Sequence, residues 1–159
     1  MKIMKIRKFL KIKYVIIIAV ILFIIYNFIW YFTVSWTYDR YKNDMEPEFE
    51  GLWETVTHRA YSALDEEYAY YLKYPAYLYF TGNLAAGTPD GSNTLIIWPS
   101  FWGKEHFEYG ATIRDGNEIY QIMVDRQGNA INANDQAIID QNREQVEVLF
   151  SIAEKRFAI

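Results

Sequence analysis

Residues 14–34 read YVIIIAVILFIIYNFIWYFTV, a stretch with no charged side chain. As a helix rising about 1.5 Å per residue, it reaches about 31 Å, against a bilayer hydrocarbon core of about 30 Å. Fourteen of its residues are Val, Ile, Leu or Phe, which together favour insertion by about 4–8 kcal/mol. A helix in a soluble core carries a polar stripe, and this one has none. The segment is therefore expected to cross a membrane. A cleaved secretory signal is the competing reading, but its apolar region spans about 7–15 residues and ends at small side chains. Here the run ends in Trp30, Tyr31, Phe32 and Trp36, bulky aromatics suited to a membrane interface. Thr33-Val34-Ser35 is a weak cleavage candidate. The chain has no cysteine, so a lipid-modified cysteine is excluded.

Charge on either side gives the direction. Lys2, Lys5, Arg7, Lys8, Lys11 and Lys13 precede the segment with no acid among them. From Ser35 onward there are 10 basic and 20 acidic residues, a split hidden by the whole-chain net charge of −4. Positive residues stay on the cytoplasmic side. The expected layout is a basic cytoplasmic tail (1–13), a transmembrane helix (14–34), a juxtamembrane stalk (35–46) and an extracytoplasmic domain (47–159). An acidic domain is a poor partner for nucleic acid, whose phosphates require Lys and Arg clusters. Inside the span, Asn27 is expected to reach headgroups or water; the competing role is a hydrogen bond from its side-chain amide across two spanning helices, worth about 1 kcal/mol.

Beyond the stalk, about 115–120 residues suffice for one compact domain. Asp44 reads as an N-cap and Pro47 as a first-turn residue. Phe49, Leu52, Trp53, Val56, Ala60, Ala63, Leu64, Tyr68, Tyr71 and Leu72 then recur at helical spacing, with Pro75 as the stop. Four strands follow: AYLYFTGNL (76–84), TLIIW (94–98), the alternating run 107–114, and 120–124. Gly87-Thr88-Pro89-Asp90-Gly91, Asp115-Gly116-Asn117 and Gln127-Gly128-Asn129 supply the turns. Asn132 or Asn134 is expected to cap a last helix with Ile138, Val146, Leu149, Phe150, Ala153 and Phe157 on its apolar side. The fold class expected is thus α+β: a transmembrane helix, then helix, four-stranded antiparallel meander, helix. The segment YQIMVDRQGNAI (120–131) is similar to strand ends of PepSY-type and cystatin-like external domains, a strand-turn pattern common enough that no membership follows from it.

For binding, the loop Trp98-Pro99-Ser100-Phe101-Trp102-Gly103 is the leading candidate. Trp98, Phe101 and Trp102 beside Pro and Gly suit a stacking surface for a sugar ring, a peptide or the membrane interface; the competing reading has them closing one end of the core. The cluster Tyr68, Tyr70, Tyr71, Tyr74, Tyr77 and Tyr79 is read as packing with polar rims. Glu54 and His58, and Glu105, His106 and Glu108, show no spacing that brings three or four zinc ligands together, so neither metal nor cofactor is expected. No GxSxG, P-loop, HExxH or dinucleotide glycine pattern is present. The expectation is a non-catalytic binding or accessory module at a bacterial cell envelope, engaging a membrane or wall component, an envelope protein or a peptide. The alternatives are an envelope enzyme acting on wall sugars or peptides, and a structural subunit of a larger membrane complex.

Overall fold

The computed structural model describes residues 2–48, 59–100 and 106–159, with side chains from Ile12 onward. The architecture is α+β: one long N-terminal apolar helix and an antiparallel sheet. Helix α1, Lys2–Tyr38, runs 37 residues without a break. It is long and apolar enough to cross a membrane. A single 3-10 turn, Asp39–Tyr41, follows it.

The sheet has seven strands, not four, paired antiparallel in chain order. They are β1 (Glu46–Pro47), β2 (Ala60–Leu64), β3 (Ala69–Lys73), β4 (Asn83–Gly87), β5 (Thr94–Pro99), β6 (Phe107–Asp115) and β7 (Glu118–Val124). A second 3-10 turn, Ala133–Asp135, leads into α2 (Gln136–Gln141) and α3 (Arg143–Phe157). Asn132 does cap that turn, its side chain accepting the Asn134 N–H.

Two expectations are corrected. The helix read from Asp44 to Pro75 is not formed over its described portion. Glu46–Pro47 is strand β1, residues 49–58 lie outside the described residues, and 60–73 form the β2–β3 hairpin. The apolar set there satisfies a period of two as well as 3.6. Tyr61 pairs with Leu72 and Ala63 with Tyr70, all four packing toward the core. Asp65 decides between the periods. Its Oδ1 accepts the N–H groups of Glu67 (3.0 Å) and Tyr68 (2.6 Å), closing a turn where a helix would have continued. The aromatic and β-preferring side chains that follow then pair across the hairpin.

The strand read at 76–84 is also displaced. Residues 76–79 make a tight turn, with the Tyr79 N–H donating to the Ala76 carbonyl at 2.9 Å, and β4 begins only at Asn83. Aromatic content suggested a strand, but the backbone here bonds to side chains of α1. Gly82 permits the fold-back: a Cβ there would stand 2.2 Å from the Lys73 carbonyl oxygen and 2.9 Å from the Pro75 nitrogen. The other three strands and the three glycine turns form where the pattern placed them, whereas the single last helix expected is two, α2 and α3, separated at Asn142, whose φ of −112° and ψ of 23° leave the helical range.

The helices pack their buried side chains, Ile139 of α2 included, into one core against the sheet. From α3 come Val146, Leu149, Ala153 and Phe157; from the sheet come Leu72, Leu84, Leu95, Ile97, Ile113, Ile122 and Val124. The third contributor is α1 itself, through Trp30, Val34 and Tyr38, continued by Tyr41 and Met45. Those positions recur every three or four residues, one stripe of the helix. The segment read as a stalk is therefore packed into the domain. Residues 75–82 join β3 to β4 at the sheet end beside α1, and the turns at 88–93 and 115–118 lie at the opposite end.

Candidate functional site at the helix-domain junction

The junction begins with what α1 leaves bare. Residues 12–29 expose nearly every apolar side chain, and Tyr31, Phe32 and Trp36 continue that face, Trp36 being 87% exposed. Trp30 differs from its three expected belt companions. It is buried and turned toward the domain, where its indole N–H donates to the Tyr79 carbonyl at 2.5 Å.

The loop after Pro75 lies along this helix. The Tyr26 hydroxyl donates to the Leu78 carbonyl (3.2 Å), and the Tyr38 hydroxyl reaches the Phe80 carbonyl at 3.5 Å while accepting the Gly82 N–H at 2.7 Å. At the far end the Tyr77 hydroxyl donates to Asn27 Oδ1 at 2.5 Å, and the Asn27 amide donates to the Phe23 carbonyl at 2.7 Å. The Asn27 amide is thus bonded on both sides within its own chain. Trp30 also meets the Tyr77 ring edge-on at 5.4 Å between centroids.

A second fastening holds the top of α1. Asp39 Oδ1 accepts the Tyr74 hydroxyl at 2.6 Å and pairs with Arg59 at 3.3 Å, whose guanidinium sits 3.9 Å above the Tyr74 ring. Burial first, then the bond to Asp39, pushes the Tyr74 phenol well above its ordinary range. On the other flank, Arg156 of α3 donates to the Asn43 carbonyl at 2.7 Å, and the Tyr41 and Phe157 rings meet edge-on.

Above the exposed Trp36 a cleft of about 720 Å³ opens between α1, the end of β5 and the end of α3. Trp36, Arg40, His106, Phe107, Arg126 and Phe157 are among its walls. Arg40 donates to the Tyr41 hydroxyl at 2.5 Å with its guanidinium against that ring. At the rim, the Ser100 N–H donates to the His106 carbonyl at 2.9 Å. Phe101, Trp102 and Glu105 lie outside the described residues, as do Glu54 and His58. Trp98 is half-buried on the sheet face opposite the core, its ring lying over Gly110, where a Cβ would come within 2.9 Å. The cleft residues Arg40 and Arg126 went unnoticed in the sequence because only the fold brings them beside Trp36.

Among the described residues no three His, Asp or Glu side chains gather into a metal-sized group. The carboxyl groups displaced from their usual range all move downward. Turn N–H groups of Tyr68 and Glu67 hold Asp65 low, the Thr88 hydroxyl and Ser92 hold Asp90 low, and Gln136 and Arg143 lower Asp140. At Asp125 burial pushes up, and bonds from Asn129 and Gln127 outweigh it. Asp65, Asp90 and Asp125 are turn carboxylates and Asp140 a helix-surface one, all favoured in the charged form, the opposite of an acid kept protonated for proton donation. No protein-family model, no curated protein and no solved structure matches the chain.

Proposed function

We propose that this chain is a single-pass membrane protein whose domain faces away from the cytoplasm and works as a non-catalytic binding or accessory module at a bacterial cell envelope. One observation carries the reading: a single unbroken helix is bare along the apolar stretch 14–29, and from Trp30 onward one stripe of it, Trp30, Val34 and Tyr38, is buried in the domain core. A bare apolar rod of this length is far larger than the patches soluble monomers expose, and lipid is the medium that matches it. The six basic residues before it and the acid excess after it set the direction.

The junction makes the attachment stiff. A domain packed on its own anchor meets partners in one orientation, and confinement to a surface raises the effective concentration of a membrane-bound partner. The cleft beside Trp36, with Arg40 and Arg126 among its walls, is the recess suited to an acidic or aromatic segment of such a partner.

Protease added to sealed spheroplasts tests the topology. The domain is expected to be digested while a cytoplasmic marker survives; a protected domain, or a mature chain beginning near Trp36, overturns the reading. For binding, Arg126→Glu is expected to reduce photocrosslinking to envelope proteins at least fivefold without altering the melting temperature, and unchanged crosslinking removes the cleft from the proposal.

A further inference from the structure

The junction loop stands at a depth that can be measured along α1. Lys13 is the last charge before the span, and Asn27, which holds Tyr77, lies fourteen residues beyond it. At about 1.5 Å per residue the distance is about 21 Å, roughly 9 Å short of a 30 Å hydrocarbon core. Trp30, which holds the Tyr79 carbonyl, stands about 26 Å from Lys13, still inside the core boundary. Snorkelling of Lys13 toward the cytoplasmic headgroups shifts the helix outward by about one turn and brings Trp30 to the boundary, with Tyr77 still beneath it. Tilt shortens the rise of α1 along the bilayer normal and keeps Asn27 and Trp30 within the same depth.

We propose that the loop at 76–80 is embedded in the outer leaflet as a second membrane contact, with Tyr77, Leu78 and Tyr79 against lipid. This rests on the spanning role of α1 proposed above, and adds that the domain is seated on the bilayer and not raised on a stalk. Three independent features of the loop fit that medium. First, its outward side chains are apolar or amphipathic: Tyr79 is 69% exposed, Tyr77 47% and Leu78 37%. Tyrosine favours the headgroup boundary. Second, the successive carbonyls of Leu78, Tyr79 and Phe80 are all met by donors from α1 side chains. Water would satisfy such carbonyls on an ordinary surface loop, whereas lipid supplies no donor and the protein has to provide it. Third, Leu78 occupies the turn with a φ of 68°, a conformation that costs a non-glycine residue about 1–2 kcal/mol. An apolar tip is held there at that cost.

The cysteine-free chain allows single labels. Ile21→Cys, Tyr79→Cys and Ile119→Cys, each carrying the fluorophore NBD, are reconstituted into phosphatidylethanolamine and phosphatidylglycerol vesicles containing nitroxide lipids. Ile21 lies in the span, and Ile119 is exposed on β7 next to the distant turn. Replacing the Tyr79 side chain leaves its carbonyl for Trp30. The expected result is a blue-shifted Tyr79 label quenched by a nitroxide at acyl carbon 5 at least threefold more than the Ile119 label, with the Ile21 label quenched by a deeper nitroxide. A Tyr79 label that behaves like the one at Ile119 while Ile21 is quenched overturns the loop proposal alone. A blue-shifted Tyr79 label that no lipid nitroxide quenches marks burial against a second copy and also overturns it. If the Ile21 label is unquenched, the anchor reading fails and the loop proposal falls with it.

Discussion

Tyr38, the last residue of α1, accepts the backbone N–H of Gly82 through its phenolic oxygen at 2.7 Å, across 44 residues of sequence. Its side chain is fully enclosed, and burial above all pushes the phenol up to about 12, so it stays protonated and able to donate across the physiological range.

Tyr38→Phe keeps the ring and removes the oxygen that accepts the Gly82 N–H. An enclosed N–H left without a partner costs about 1–3 kcal/mol. The expected outcome is a domain melting temperature lower by about 5 °C or more in detergent, with secondary structure retained by circular dichroism. An unchanged melting curve refutes the role given to this bond.

Two glycines separate crowding from backbone conformation. At Gly82 a new Cβ collides with the Lys73 carbonyl and the Pro75 nitrogen, backbone atoms that cannot rotate away. At Gly91 nothing lies within 4 Å, and only the φ of 70° is unfavourable. Gly82→Ala is expected to cost about 3 kcal/mol or more and Gly91→Ala about 1–2 kcal/mol. Chemical denaturation of both variants checks the order, and equal losses contradict the close approach.

Asp90 gives a pH prediction. Bonds from the Thr88 hydroxyl and from Ser92 lower its carboxyl from the ordinary 3.8 to about 2. A lowered folded-state value means that the charged form is the stabilising one. Its contribution is fully present above pH 4 and is lost as the pH falls through about 2. A carboxyl-detected NMR titration is expected to place the midpoint near 2, and Thr88→Val to move it toward 3.8. A wild-type midpoint at 3.8 dismisses the turn network as the cause.

Some of this architecture was readable from local chemistry alone. Gly91, Gly116 and Gly128 take positive φ where turn patterns required it, because only glycine adopts that backbone freely. The alternations in β6 and β7, and the apolar stripe of α3, reflect one wet face and one dry one, so periodicity reported them directly. The hairpin at 60–73 was misread because its apolar residues fit both periods, and the carboxylate of Asp65 broke the tie through bonds that spacing does not encode. Arg40, His106 and Arg126 come from distant parts of the chain, and their meeting beside Trp36 is a product of the fold.

What the chain determined by itself was the existence and length of an uncharged helix, its flanking charges and the places where the backbone had to turn. Which side of that helix meets the domain was decided only in three dimensions. A segment apolar on every side carries no periodic signal, so nothing in YVIIIAVILFIIYNFIWYFTV distinguishes Trp30 and Val34 from Phe28 and Phe32. Packing against the sheet made the distinction, because close-packed interiors select side chains by shape and by the donors they bring, and the carbonyls of residues 78–80 found theirs on Tyr26, Trp30 and Tyr38.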